Sequence, residues 1–497
     1  MKNFENKQSE LMKSKFILLI LSIWMHGCKQ DAPVILNYNG YPKEVGDIIL
    51  TKCATKGCHN DITKSSSGGL SLSSWEKLFE GSNEGSSVIP YRPDQSFLFF
   101  AINTYSDLGA SLTPTMPFNK PNLSRDQVLI IKNWILNGAP NDKGFVKFSD
   151  NPQRKKFYVL NSKCKLVTVF DKETKLIMRY IDAGSNVDGV PCSVEVSPDN
   201  NYWYALFTAE NLTSSLKKFR ASDDQLVSKI NLNNSLWKTI KISPDSKKAL
   251  IADTKGNNSF IGGSITYMDL TNMALIHTYE APIDSLFFPI GMEANKSFST
   301  AYSASFHSNY FYKINLNTNQ IKKIRLNPND PPIIDDVDDT YNPVQILLSP
   351  DESEYFILCS TSHEVRFFSA ANDSLLKIIS TGIFPLEMKI SEKNNYLFVS
   401  DTSIINSQKG AVYVIDYKNH SLIKSIDTGN QPQGIAVDDE KGLVYVANRN
   451  IGGSAHHITS CAGKPGYVTI VDMNTLQLIS KYKTEVSVEP ISIGIRQ

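Results

Sequence analysis

The hydrophobic positions after residue 150 occur in short runs that end at a recurring polar turn. Three of these runs end in Ser-Pro-Asp, at residues 197–199, 243–245 and 349–351, and further apolar runs follow each turn. Whole units of this kind begin near Val190, Leu236, Phe288, Asn342, Phe384 and Gln431. Four short antiparallel strands in a unit of this length are typical of a β-propeller blade.

A partial unit at residues 156–184 has the pattern of three strands and lacks the first one. At the far end of the chain, residues 489–495 form an apolar run that has no unit of its own. We expect this run to complete the first blade, because closing the ring removes exposed edge strands. The pattern therefore predicts an all-β, seven-bladed propeller over residues 150–497, closed by the C-terminal strand.

The chain before the repeats has helical spacing. Residues 44–52 predict a short amphipathic helix, with apolar side chains on one face. Residues 124–127 form a capping-box pattern, and helical spacing continues from there to a stop at Gly138. We therefore expect a multidomain protein in which residues 43–143 form a small all-α domain ahead of the propeller.

The first predicted helix leads directly into Cys53-Ala54-Thr55-Lys56-Gly57-Cys58-His59. Two thiols followed at once by a histidine are the attachment signature of c-type haem, in which the thiols add to the two vinyl groups. The usual motif has two residues between the thiols, and the longer spacing here is a rarer variant. The motif predicts haem c bound covalently through Cys53 and Cys58, with His59 as the proximal iron ligand.

A methionine on a proline-stiffened loop follows, in Leu112-Thr113-Pro114-Thr115-Met116-Pro117. Prolines restrict the backbone, which lowers the entropy lost when a loop holds a sulfur on iron. Most methionines only fill a core, but after the haem motif we predict Met116 as the distal iron ligand. Two protein ligands leave no open position on the iron, which favours electron transfer over substrate binding.

The N-terminus resembles a bacterial lipoprotein signal. Two lysines precede an apolar run, Phe16–Met25, which is shorter than the about 20 residues that span a bilayer and fits a signal-peptide core. Cys28 follows the run, so we predict a signal over residues 1–28, lipidation of Cys28 and a linker over residues 29–42. A plain signal peptide with an incidental cysteine is the alternative. Both kinds of signal are consistent with the bacterial cell envelope. A lipid anchor on Cys28 would hold the protein on the membrane, facing the periplasm or the cell surface.

Composition excludes one class of partner and leaves one question open. The 497 residues carry 51 basic and 50 acidic side chains, and we expect no nucleic-acid partner because no basic stripe is present. Four of the seven cysteines belong neither to the haem motif nor to the signal: Cys164, Cys192, Cys359 and Cys461. In an oxidising compartment these four could pair in three ways.

The last repeat unit carries an insertion over residues 448–463 with His456, His457 and Cys461. These side chains could bind a metal, supply a haem ligand or act as an acid–base pair. The alternative is a surface loop whose polar groups satisfy its own backbone. Adjacent side chains of an extended segment point to opposite sides, which disfavours binding of one ion by both histidines.

Two family resemblances accompany these motifs. Residues 68–72, 88–90, 96–98, 116–117 and 134–139 together resemble the planctomycete-type cytochrome c-like domains of large exported bacterial proteins. The likeness implies haem c with His59 proximal and Met116 distal, although Phe118 stands where that family usually has a second proline. Gly410–Asp416 resembles the YVTN-type propellers of exported bacterial proteins, which implies a fold and no function.

These expectations favour a c-type haem protein of the cell envelope that transfers electrons to or from an unidentified redox partner protein. The propeller would be its docking module. One alternative is a haem-dependent oxidoreductase with a substrate or second-cofactor site on a propeller face. The other is a haem-free binding lipoprotein in which Cys53 and Cys58 form a disulfide.

Overall fold

The predicted repeats are β-strands that pair in groups of four. The computed structural model describes residues 37–209, 212–233, 235–254, 263–280, 288–330, 338–402, 409–455 and 461–497. Within these ranges, 28 strands form seven four-stranded antiparallel sheets. The predicted seven-bladed β-propeller is therefore confirmed.

The strand bounds, by blade, are as follows. Blade 1 contains Lys156–Asn161 (β1), Leu166–Asp171 (β2), Ile177–Asp182 (β3) and the last strand, Pro490–Ile495 (β28). Blade 2 contains Val190–Val196 (β4), Tyr202–Thr208 (β5), Ser215–Arg220 (β6) and Leu226–Asn231 (β7). Blade 3 contains Trp237–Ile242 (β8), Lys248–Asp253 (β9), Ser264–Asp269 (β10) and Ala274–Glu280 (β11). Blade 4 contains Pro289–Ala294 (β12), Thr300–Ser305 (β13), Tyr310–Asn315 (β14) and Gln320–Arg325 (β15). Blade 5 contains Pro343–Leu348 (β16), Glu354–Cys359 (β17), Glu364–Ser369 (β18) and Leu375–Ser380 (β19). Blade 6 contains Pro385–Ser391 (β20), Tyr396–Asp401 (β21), Gly410–Asp416 (β22) and Ser421–Gly429 (β23). Blade 7 contains Pro432–Asp438 (β24), Leu443–Asn448 (β25), Pro465–Asp472 (β26) and Gln477–Val488 (β27).

The core lies between neighbouring blades. Strands β1 and β2 are buried at every residue because both faces of their sheet pack against other parts of the protein. The outer strand β11, by contrast, exposes most of its side chains. Aromatic rings fill the gap between blades 1 and 2, where Tyr158 stacks on Trp203 with ring centroids 5.0 Å apart.

The ring closes between the two ends of the repeat region. Strand β28 pairs antiparallel with β1, opposing Ile495 to Phe157 and Ile493 to Val159. The last strand of the chain thereby becomes the inner strand of the first blade, so that blade has no open inner edge.

The Ser-Pro-Asp turns have a local physical cause. In blade 2 the Ser197 hydroxyl donates to the Asp199 carboxylate (2.6 Å) and accepts from the Tyr202 amide (3.0 Å). The same serine-to-aspartate bond recurs at Ser243 and Ser349. The side chains of each motif thus form the hydrogen bonds of their own turn, and the next strand begins directly after it.

Four short helices lie before the propeller, within the described residues. They are Lys43–Ile48 (α1), Trp75–Leu78 (α2), Phe97–Ile102 (α3) and Arg125–Leu136 (α4). The predicted capping box begins α4, with Ser124 and Gln127 each bonding the other's backbone amide. Among the described residues, no helix has the length and apolar character needed to cross a membrane. The predicted signal and Cys28 lie outside the described residues.

The prediction of a separate all-α domain is wrong. Residues 39–149, which we call the helical segment, belong to the same compact unit as the propeller. The segment packs part of its apolar surface on the blades: Ile89 is buried in one cluster with Phe157 of blade 1 and Val486 of blade 7. Phe148 is buried in the cluster between blades 1 and 2.

Polar contacts reinforce this packing. The Ser86 hydroxyl donates to the Ile177 carbonyl oxygen (2.9 Å), and Arg92 pairs with Asp182 (3.1 Å). Gly85 has a φ of +99°, and a Cβ there would lie 2.9 Å from the Thr484 side chain. A glycine at this position allows the helical segment to approach strand β27 closely.

Candidate functional site

The end of the first helix places Cys53. After α1 the chain continues in a π-helical turn, Ile49–Cys53, and the amide of Ala54 bonds the Ile49 carbonyl oxygen (2.9 Å). Such widened turns are frequent at functional sites. Cys53 is buried there and lies next to Tyr41, whose hydroxyl donates to the Ser74 carbonyl oxygen (3.0 Å).

The loop after Cys53 folds back on itself. The Cys58 amide bonds the Thr55 carbonyl oxygen (3.0 Å), and the His59 amide bonds the Cys53 carbonyl oxygen (3.1 Å). The hydroxyl of Thr63 donates to the Cys58 carbonyl oxygen (2.6 Å). Four residues between the thiols therefore fit into one compact turn, and the structure brings Cys53, Cys58 and His59 together.

The two sulfurs of this turn are free thiols. Burial, and after it the charge of nearby Cys58, raises the pKa of Cys53 to about 12. Cys53 is therefore a neutral thiol at physiological pH and is a poor ligand for a bare metal ion, which binds thiolate.

His59 has the environment of a neutral imidazole. Burial lowers the pKa of the ring, while the main-chain carbonyls of Leu70 and Ser67 raise it to a smaller extent. Its Nδ1 atom is buried and lacks a hydrogen-bond partner within the described residues. A neutral imidazole is the form that ligates metals. One ring nitrogen binds the metal, and the other usually donates its N–H to a nearby carbonyl.

Met116 lies on a separate loop. Its amide bonds the Ala101 carbonyl oxygen (2.7 Å), which ties the loop to the end of α3. Helix α4 packs against both α3 and α1, so it connects the element that holds Met116 to the element that ends at Cys53. The Met116 side chain is partly buried.

Large apolar side chains lie uncovered next to both loops. Ile62, shortly after His59, is 91% exposed, and Phe118, shortly after Met116, is 57% exposed. Within the described ranges, there is no cluster of three or more His, Cys, Asp or Glu side chains suited to a metal ion. Exposed apolar groups, two free thiols and an unpartnered histidine nitrogen fit an apolar macrocycle that carries its own metal.

The candidate site predicted in the insertion of blade 7 is not found as a cluster within the described residues. His456 and His457 lie outside the described residues. Cys461 is bonded to Cys164, with Cα atoms 5.6 Å apart, so its sulfur is not a free thiolate. Cys192 and Cys359 are free thiols within separate parts of the propeller core.

The sequence did not indicate the groups that support the motif. Tyr41 is completely buried beside Cys53, and the Ser67 hydroxyl is a second donor to the Cys58 carbonyl oxygen (3.1 Å). The run of serine and threonine after the motif is the signal that was available, because hydroxyls of this kind satisfy loop carbonyls.

Comparison with known proteins adds little to this geometry. No protein-family model and no curated protein matches the chain. A functionally unknown protein from Desulfotomaculum acetoxidans is similar in structure, with a TM-score of 0.48 and 12% identity over 67% of this chain and 99% of the other. Hydrazine synthase from Kuenenia stuttgartiensis gives a TM-score of 0.47 and 16% identity over 62% of this chain and 90% of the other. Neither likeness carries an argument about function.

Proposed function

We propose that this protein is a c-type haem protein that transfers electrons. The observation that carries the proposal is the turn of Cys53, Cys58 and His59, in which two unjoined thiols lie beside a partly buried imidazole whose Nδ1 atom has no partner within the described residues. The bond from the His59 amide to the Cys53 carbonyl oxygen holds the histidine in register with the first thiol.

The state of these groups suits covalent attachment. Cys53 and Cys58 would each hold the haem through a thioether bond, which forms when an S–H group adds across a vinyl C=C bond with no net oxidation. Because the pKa of Cys53 is high, its thiol keeps the proton that this addition transfers to the vinyl group. The lowered pKa of His59 leaves a lone pair available for the iron.

Once bound, the haem would supply a one-electron iron couple. Met116 would supply a second ligand to the iron from a loop anchored to α3 at Ala101. With both His59 and Met116 as ligands, the iron would have no position left for a substrate. Ile62 and Phe118 would lose their solvent exposure against the macrocycle, which gains hydrophobic free energy.

The propeller would orient this site and dock the redox partner protein. The contacts of Ile89 and Arg92 with blades 1 and 7 hold the helical segment in one position relative to the ring. The Cys164–Cys461 disulfide supports an oxidising compartment such as the cell envelope, which is where haem c is attached. Anchoring through a lipid on Cys28 belongs to the same proposal.

Absorption spectroscopy combined with a haem-stained denaturing gel tests the proposal. The protein would be expressed with a haem-attachment system, and spectra would be recorded oxidised, reduced and with carbon monoxide. We expect covalent haem with sharp low-spin bands that carbon monoxide does not change. A Cys53→Ser/Cys58→Ser variant should lose the haem stain, whereas Cys192→Ser, which removes a free propeller thiol, should keep it.

Two other results of this experiment would indicate a different function. A covalent haem that binds carbon monoxide would have an open iron position and would favour a haem-dependent oxidoreductase. A purified wild type without haem would overturn the proposal and leave a haem-free binding protein.

A further inference from the structure

A cavity of about 330 Å³ lies between blades 3 and 4, on the face formed by the Ser-Pro-Asp turns. This volume is near the lower end of the roughly 300–1,000 Å³ of small-molecule sites. Its lining includes Asp245, Lys248 and Tyr267 of blade 3 and Ser297, Phe298 and Asn317 of blade 4. The cavity is separate from the helical segment, so an inference from it is independent of the proposed haem.

The cavity exists because the turns of blades 3 and 4 do not bond each other, whereas turns at other junctions do. At the junction of blades 2 and 3, the Asp199 amide bonds the Ser246 hydroxyl (3.0 Å), and at that of blades 4 and 5, Lys296 Nζ bonds the Pro350 carbonyl oxygen (2.7 Å). Between blades 3 and 4, no hydrogen bond joins turn residues 243–247 to turn residues 295–299 or 316–319, all of which the structure describes. The space between these turns is therefore left to solvent or a ligand.

Aromatic rings form part of its wall. The rings of Tyr267 and Phe298 lie 6.1 Å apart at an angle of 37°, and both are only partly buried. The Lys248 ammonium lies 5.4 Å from the centre of the Tyr267 ring. Interaction with Tyr267 raises the pKa of Lys248, so this exposed side chain at the edge of the cavity is a cation. The rings offer apolar faces against which a flat ligand can pack.

The remaining lining groups are hydrogen-bond donors and acceptors. A hydrogen bond from Ser243 holds the pKa of Asp245 below its usual range, and both of its protein bonds fall on Oδ1. Oδ2 of Asp245 has no protein donor within the described residues. The Asn317 amide and the Lys248 ammonium supply donors, while Asp245 supplies an acceptor. Hydroxyl groups both donate and accept, so they match a wall of this mixed character.

We propose that this cavity binds a neutral sugar ring. The apolar face of the ring would pack on Tyr267 and Phe298, and its hydroxyls would bond Asp245, Lys248 and Asn317. An anion would meet the Asp245 carboxylate, and a cation would meet Lys248 and Lys296, which also lines the cavity, so a neutral polyhydroxy compound suits the site better than either. The volume accommodates one or two such rings.

Saturation-transfer NMR followed by calorimetry tests this proposal on the full protein. The probes are glucose, galactose, mannose, N-acetylglucosamine, cellobiose and lactose, with sodium phosphate and acetate as anions. We expect at least one sugar to bind. Lys248→Met and Asn317→Ala should weaken its binding at least about tenfold, because each removes a hydrogen bond to the ligand.

Adjacent residues provide matched controls. Lys247→Met and Thr318→Ala change neighbours that do not line the cavity and should leave the affinity unchanged. Equal melting temperatures would show that all four variants fold. Absence of sugar binding at tens of millimolar, binding of the anions alone, or equal affinity in Lys248→Met and wild type would each overturn the proposal.

Discussion

Cys164, in the turn between β1 and β2, is bonded to Cys461 in the insertion of blade 7. The two residues are 297 positions apart in the chain. Their bond joins the first and last blades, the same pair of blades that the pairing of β28 with β1 brings together. The ring is thus closed twice, by backbone hydrogen bonds and by a covalent link.

Removing the disulfide should destabilise the propeller. Because it closes a long loop, a Cys164→Ser/Cys461→Ser variant should lose about 2–4 kcal/mol in free energy of unfolding. Denaturant titration measures this loss. Dithiothreitol should lower the melting temperature of the wild type and leave that of the variant unchanged. Equal stability of variant and wild type would contradict a closing role.

The packing of the helical segment on the propeller predicts a large effect at Ile89. This side chain is 1% exposed within a cluster that includes Tyr180 and Val486, so Ile89→Ala should cost about 2–5 kcal/mol. Ile276→Ala, on the exposed outer strand β11, should cost less than about 1 kcal/mol. Calorimetry of both variants makes the comparison. If the Ile89 variant were as stable as the Ile276 variant, the helical segment would not depend on its packing against the propeller.

Asp188 predicts sensitivity to acid. Burial opposes its charge, but hydrogen bonds from Ser185 and ion pairs with Lys217 (3.0 Å) and Lys229 (3.0 Å) hold its pKa well below the usual value. A lowered folded-state pKa stabilises the fold above the unfolded value of about 3.9. This stabilisation is lost progressively as the pH falls from about 5 towards the folded-state value.

The matching experiment follows melting temperature between pH 7 and pH 3. Asp188→Asn should lose about 3 kcal/mol at pH 7, because it leaves two lysines without their buried partner, and should show a shallower decline on acidification. Asp126→Asn, at an exposed position in α4, is the control and should follow the wild type. Parallel pH profiles for Asp188→Asn and wild type would refute this role.

The proposed iron ligands predict different defects. His59→Ala should abolish a stable haem protein, because it removes the proximal ligand. Met116→Ala should keep the haem on the gel, bind carbon monoxide and have a lower reduction potential, because a thioether ligand raises the potential. Met178→Leu, in the core of blade 1, should leave the spectrum unchanged. A Met116→Ala spectrum identical to that of the wild type would exclude Met116 as the ligand.

The blades were predictable because each repeat carries its own turn chemistry. Ser197 and Asp199 bond each other within three consecutive residues, so their pattern is visible in the sequence. The same holds for Ser124 and Gln127, whose reciprocal bonds begin α4 as predicted. Local hydrogen bonds of this kind depend little on the rest of the fold.

The attachment of the helical segment to the propeller was not predictable in this way. Its helical pattern resembles that of a small all-α domain, and the likeness to planctomycete-type cytochrome c-like domains strengthened that expectation. Ile89 and Phe148 are apolar residues that any core could bury, and the structure buries them against the blades. Which core receives an apolar side chain is a matter of packing between distant parts of the chain.

The sequence by itself determined the strand repeats, the seven blades and the spacing of Cys53, Cys58 and His59. The tertiary structure decided the partner of Cys164, the attachment of the helical segment to blades 1 and 7, and the cavity between blades 3 and 4. Turns and periodic strands depend on neighbouring residues, which the sequence displays directly. Disulfide partners, shared cores and cavities depend on which distant residues become neighbours, and that follows from the closure of the whole ring.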